Sequence, residues 1–200
     1  VCSLPPGMGL NLPVVVTQSA QFSQPKGFTL NYQLCTAGWR SLPSSTACYN
    51  CTQGKYSSVD GATQCIACNQ GSYAPNNTMT SCVKCQPGSS TSSTGSSSCS
   101  LCTVGSYAPF TGSENCKDCP VGYYNNKIGQ EGCTICPAGS FQVDEGKSSC
   151  SNCTIGFSQE LPGQIQCNPC APGYRSHATD RSRCVACPVG TSPARLPLPV

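Results

Sequence analysis

The chain has 200 residues, of which 20 are cysteine, 20 glycine and 17 proline, against only five phenylalanines and one tryptophan. So little bulky apolar material cannot fill one core of this length, and a tenth of all residues as cysteine marks a disulfide scaffold from an oxidising compartment. Eleven basic against eight acidic residues leave a formal charge of +3 with no basic stripe, which argues against a nucleic-acid partner because such binding needs clustered phosphate-neutralising charge.

No run approaches the ~20 apolar residues that span a bilayer; the longest aliphatic run is Val14–Val16. The chain opens on Val1 and Cys2 without an initiator Met and shows no signal peptide, as expected of a mature or truncated segment of something longer. Residues 1–34 stand apart from the rest of the chain. Their stretch PPGMGLNLPVVV, then a turn and FTLNY, resembles the final strands of an IPT/TIG immunoglobulin-like domain. The resemblance implies strands at Val14–Thr17 and Phe28–Tyr32. It also implies a partial sandwich whose open edge must be completed upstream or by a strand from another molecule.

Residues 35–190 carry a repeat. CxxC pairs start at Cys48, Cys65, Cys82, Cys99, Cys116, Cys133, Cys150, Cys167 and Cys184, each step being 17 residues. A fixed period of this kind signals a repeat architecture. Three residues after each trailing cysteine stands a glycine, from Gly54 to Gly190, at a place that suggests a turn with positive φ or a close backbone approach. Two residues further on, Tyr56, Tyr73, Tyr107, Tyr124 and Phe141 supply an aromatic, with Phe157 and Tyr174 one place earlier. Gly61, Gly95, Gly112, Gly129, Gly146 and Gly163 mark a second turn. Two short extended pieces joined by turns fit this unit, and no helical periodicity is present. Cys35, Gly38 and Trp39 read as a worn first repeat in which Trp39 takes the aromatic role.

Three chemistries compete for the cysteines. Paired CxxC motifs build four-sulfur zinc sites, but nine pairs, a charged fraction of 10% and a single histidine weigh against metal. A redox CxxC needs a helix N-terminus on a βαβ frame, and none is visible. Disulfides remain, and the spacing suggests closure of the 13-residue loop between one pair and the next. That gives Cys35–Cys48, Cys51–Cys65, Cys68–Cys82, Cys85–Cys99, Cys102–Cys116, Cys119–Cys133, Cys136–Cys150, Cys153–Cys167 and Cys170–Cys184. Sequence alone does not prove connectivity; a non-reduced peptide map linking Cys48 to Cys51 would overturn this scheme. Each such loop is worth roughly 3 kcal/mol on the chain-entropy estimate. Cys2 and Cys187 are left over, to bridge either missing chain or a neighbouring molecule; pairing Cys2 with Cys35 would strand Cys48.

The unit CTQGKYSSVDGATQC, residues 51–65, resembles the tandem cysteine-rich repeat called ephrin-receptor-like, and is similar to the first small module of tumour necrosis factor receptor cysteine-rich domains. The receptor's alternating second module is absent, and Ser90 and Ser192 stand where the aromatic belongs. Together with the IPT/TIG-like start, the resemblance implies a protist or algal cell-surface, coat, adhesin or flagellar-hair (mastigoneme-type) protein.

Sequons stand at Asn50, Asn76 and Asn152, which in a secreted chain are plausible glycan acceptors. The hydroxyl-rich GSSTSSTGSSS, residues 88–98, reads either as a flexible loop or as an O-glycosylated stretch. Residues 191–200 form a Pro-rich tail or linker. His177, the single histidine, has no triad partners, Asp144 and Glu145 share a turn, and the repeat tyrosines are expected to stack on the next repeat's disulfide. No constellation meets the preconditions for catalysis, and no metal or cofactor is expected beyond covalent glycans.

The expected fold is therefore an all-β/coil, disulfide-stapled repeat array after a partial Ig-like sandwich, each repeat touching mainly its neighbours. The expected function is a structural extracellular glycoprotein, either a rod-like stalk or a filament subunit. Its partners would be copies of itself or other extracellular structural proteins. The alternative is the ligand-binding ectodomain of a receptor or adhesin.

Overall fold

The computed structural model describes residues 34–42 and 47–188 in full and the backbone of 12–13 and 29–30. Among these residues every regular element is a strand of two or three residues, and each pairs in an antiparallel hairpin. In chain order the hairpins are β1 (Leu12–Pro13) with β2 (Thr29–Leu30), β3 (Trp39–Ser41) with β4 (Cys48–Asn50), and β5 (Lys55–Tyr56) with β6 (Ile66–Ala67). Next come β7 (Ser72–Tyr73) with β8 (Val83–Lys84), β9 (Ser89–Ser90) with β10 (Ser100–Leu101), and β11 (Ser106–Tyr107) with β12 (Lys117–Asp118). The last four are β13 (Tyr123–Tyr124) with β14 (Thr134–Ile135), β15 (Ser140–Phe141) with β16 (Ser151–Asn152), β17 (Phe157–Ser158) with β18 (Asn168–Pro169), and β19 (Tyr174–Ser176) with β20 (Cys184–Ala186). β2 lies inside the expected strand Phe28–Tyr32; the expected strand Val14–Thr17, Cys2 and the tail 191–200 lie outside the described residues.

The turn that opens each hairpin is set by its glycine. The Lys55 amide donates to the Thr52 carbonyl at 3.0 Å, and the same four-residue turn recurs at Ser72, Ser89, Ser106, Tyr123, Ser140, Phe157 and Tyr174. Its third residue is the repeat's first glycine, with φ from +72° at Gly71 to +86° at Gly156. That is the value the third place of a type II turn demands, and it is open to glycine at little cost.

The chain divides into two compact units, Val1–Lys84 with Thr91–Cys99, and Cys85–Ser90 with Ser100–Val200. In the first, the amides of Gly38, Gly54 and Gly71 donate to the carbonyls of Ser57, Ala74 and Thr91, each in the following repeat. In the second, the amides of Gly88, Gly105, Gly122 and Gly139 donate to Ala108, Asn125, Gln142 and Gln159.

Contacts confined to adjacent repeats do not describe the packing. A Cβ built on Gly54 would stand 1.9 Å from the carbonyl oxygen of Gly95, and one on Gly105 2.0 Å from that of Gly146, in each case the second-turn residue two repeats on. Gly38, Gly88, Gly122 and Gly139 meet Thr78, Gly129, Gly163 and Asp180 in the same way. At these six places the first glycine is thus required twice, for its φ and for the backbone laid against it.

What lies inside is small or sulfur-bearing. The trailing cysteines Cys51, Cys68, Cys85, Cys119, Cys136 and Cys153 are fully buried. The position six residues further on is buried in most repeats too, held by Ser41, Ser57, Ala74, Ala108, Asn125, Gln142, Gln159 and Ser176. The larger apolar side chains face out, Ile155 at 78% and Phe110 at 69% exposed. Apolar burial therefore contributes little, and cross-links and backbone hydrogen bonds carry the fold.

Candidate functional site

The chemistry-bearing groups of this chain are its cysteines, and the hairpin places them. In most repeats the first-turn glycine carbonyl accepts from a trailing-cysteine amide, as Cys68 does to Gly54 at 2.9 Å, Cys102 to Gly88, Cys119 to Gly105 and Cys153 to Gly139. This fixes the two ends of each loop side by side. The structure joins Cys35–Cys48, Cys51–Cys65, Cys68–Cys82, Cys102–Cys116, Cys119–Cys133, Cys136–Cys150, Cys153–Cys167 and Cys170–Cys184. The Cα–Cα separations run from 5.6 to 5.8 Å, within the reach of a disulfide. Cys85 and Cys99 are disulfide-bonded as well. Cys187 is a half-exposed free thiol, held by the same amide bond to Gly173.

The place reserved for the aromatic faces the next loop's bridge. Where serine stands there, its hydroxyl meets that sulfur: Ser90 lies 3.3 Å from Cys116, and Ser158 3.1 Å from Cys184. The tyrosines at this place, such as Tyr107 opposite Lys117 and Tyr124 opposite Thr134, are half-buried. In the first repeat the register puts Arg40, opposite Tyr49, at this place, with Trp39 one residue earlier.

The buried column six residues past the trailing cysteine was not legible in the sequence, because its residue type changes. Its polar members complete their hydrogen bonds. Gln142 donates to the Ser149 carbonyl at 2.8 Å while its own oxygen accepts the Asp144 amide, and Gln159 does the same with Gln166 and Leu161. Asn125 donates to the Ser106 carbonyl and accepts from the Lys127 amide. No buried side-chain polar atom among the described residues is left without a partner, as an interior built from amides and hydroxyls requires.

The isolated candidates are separated. His177 pairs with Asp180 at 3.1 Å, and Asp144 with Lys147 at 3.4 Å, both on the surface. Hydrogen bonds from the Ser182 amide and hydroxyl, with a smaller contribution from His177, hold the Asp180 carboxyl below its usual range. Among the described residues no group of three or more His, Cys, Asp or Glu side chains is placed to hold a metal ion. No helix there is long and apolar enough to cross a membrane. Asn50, Asn76 and Asn152 are all exposed. Asn50 and Asn152 sit in strands β4 and β16, and Asn76 lies in the turn before Thr78.

The family profile described as tyrosine-protein kinase ephrin type A/B receptor-like matches residues 54–102, 93–129, 105–143 and 122–163, overlapping windows that together take in more than half of the chain. No curated protein matches it.

Proposed function

This chain belongs to the ephrin-receptor-like family of cysteine-rich repeats, and from that membership we propose that it is a non-catalytic spacer in an extracellular glycoprotein. Its oxidised cysteines are those of an oxidising, extracellular-type environment. The observation that carries the spacer reading is the recurrence of one bonding scheme in most of the described repeats. Within each compact unit, the first glycine amides of Gly38, Gly54, Gly71, Gly88, Gly105, Gly122 and Gly139 go to the next repeat, and six of these glycines meet the second turn two repeats on, so length grows by whole repeats without a new kind of contact. The hairpin β1–β2 supports reading residues 1–34 as closing strands of an IPT/TIG-like domain. Electron microscopy of the protein from its natural source tests the reading. Isolated thin rods are expected; long filaments with a regular axial repeat would turn the reading to a filament subunit, and compact particles would overturn both.

The glycan belongs at Asn76. Thr78 holds φ at +61°, where the corresponding residues of other repeats are mostly glycine. A β-branched residue there is an outlier, and such strain costs about 1–3 kcal/mol. Thr78 is also the hydroxyl residue of the sequon Asn76-Asn77-Thr78. The sequons at Asn50 and Asn152 instead have the buried, bridged Cys51 and Cys153 at their centres, so acceptance there competes with bridge closure. Peptide mapping should find a glycan on Asn76 in the parent and in Thr78→Ser. Thr78→Gly should lose it while gaining about 1 kcal/mol locally from the relieved φ. An unmodified Asn76 in the secreted parent would defeat the assignment.

A further inference from the structure

In the first compact unit, side chains of the hairpins β3–β4 and β5–β6 enclose a cleft of about 320 Å³ lined by Arg40, Asn50, Thr52, Lys55, Gln64 and Cys65. This is at the small end of ligand-sized cavities. Two of the six residues are cations, three are amide or hydroxyl residues, and none of the described lining residues is acidic. Among the described residues the ion pairs are Lys147–Asp144 and His177–Asp180, so neither cation here is neutralised by a neighbour.

The repeat register shows how local this is. The two places that Arg40 and Lys55 hold in successive repeats are held elsewhere by Tyr56 and Ser72, Tyr73 and Ser89, Ser90 and Ser106, Tyr107 and Tyr123, Tyr124 and Ser140, Phe141 and Phe157, and Ser158 and Tyr174. Arg175 is the one later cation at either place, and its companion Thr191 is neutral, so no later pair carries a cation at both. The Arg40 guanidinium lies over the exposed Tyr49 ring, 5.9 Å from its centroid, which limits its orientations and leaves its edge donors free.

We propose that this cleft binds an acidic saccharide, one carrying a sulfate or carboxylate group. Arg40 and Lys55 take the anionic group, and Asn50, Gln64 and Thr52 take ring hydroxyls. The pairing of unneutralised cations with amide and hydroxyl groups distinguishes this ligand from a bare anion, which would use the cations alone. The site goes beyond the spacer reading and stands or falls separately from it.

The test uses the secreted chain carrying Asn50→Gln, which keeps an amide in the cleft and removes the sequon. Binding of a sulfated disaccharide, its unsulfated counterpart and inorganic sulfate is measured by calorimetry at low and at physiological salt. The sulfated disaccharide should bind, weaken as salt rises, and lose at least about tenfold in affinity in Lys55→Glu. Lys84→Glu, on β8 away from the cleft, should bind like the parent. Arg40→Gln should weaken binding as Lys55→Glu does, with an unchanged non-reduced peptide map showing that the hairpin is intact. Three results would each overturn the assignment. They are sulfate binding as tightly as the sulfated sugar, the unsulfated sugar binding as well as the sulfated one, and Lys55→Glu having no effect.

Discussion

Pulled from its two ends in oxidising buffer, the repeat array is expected to stop extending at about 16 Å per repeat, and in strong reductant at about 58 Å. The first figure comes from the force path. Load entering a leading cysteine crosses three peptide steps of CxxC, about 10 Å at the ~3.4 Å that an extended residue spans. It then jumps the bridge, where the Cα atoms are 5.6 Å apart in the Cys51–Cys65 loop. The rest of the loop carries no load. Reduction returns all 17 residues of the period to the path, and the extended length rises about 3.6-fold. Single-molecule force spectroscopy with and without reductant reads this directly. The same trace decides connectivity, since bridges closed within each CxxC would leave the loops in the path and give nearly the reduced length even when oxidised. A repeat array stapled this way resists extension by covalent bonds, whatever the thinness of its core.

The features legible in the sequence were those whose cause is local. A 17-residue cysteine rhythm needs only counting, and Gly54 or Gly105 three places past a trailing cysteine announces a turn because the demand for positive φ sits in that residue alone. What escaped were features whose cause lies elsewhere in the chain. Nothing local tells Gly105 that the carbonyl of Gly146 will rest against it. The glycine is already explained by its φ, so the second reason is hidden behind the first. The interior position was hidden for the opposite reason. Ser57, Ala74, Asn125 and Gln142 share no size or polarity, and none leaves a buried side-chain polar atom unpaired. Trp39 drew attention as the aromatic of the first repeat, yet strand register gives the aromatic's place to Arg40. The difference of one residue is what leaves a charged cleft there. Thr78 looked like an ordinary sequon threonine until its φ was known.

Replacing Gly105 with alanine should do far more damage than replacing Gly156, although both sit at the same place in the repeat with φ of +81° and +86°. An alanine forced into this left-handed region costs about 1–2 kcal/mol, and Gly156→Ala should cost no more, because nothing lies within 4 Å of a Cβ built there. Local amide exchange around it, read at the Cys170 amide that bonds to its carbonyl, should quicken by about 5- to 30-fold. At Gly105 the new methyl would meet the Gly146 oxygen at 2.0 Å. That partner is backbone and cannot rotate aside. The second turn must move away, taking with it the bond from the Gly146 amide to the Cys119 carbonyl and loosening the Gly105 bond to Asn125. The expected loss exceeds about 4 kcal/mol, the size reserved for named structural failures. Exchange at the Gly146 amide should quicken by about a thousandfold or more. If Gly105→Ala fails to oxidise cleanly, mispaired bridges in its non-reduced peptide map report the same failure, with Gly156→Ala as the matched control. Equal effects from the two substitutions would mean that φ alone sets the glycine. The contact two repeats on would then contribute nothing to stability, and the array would be coupled only between adjacent repeats.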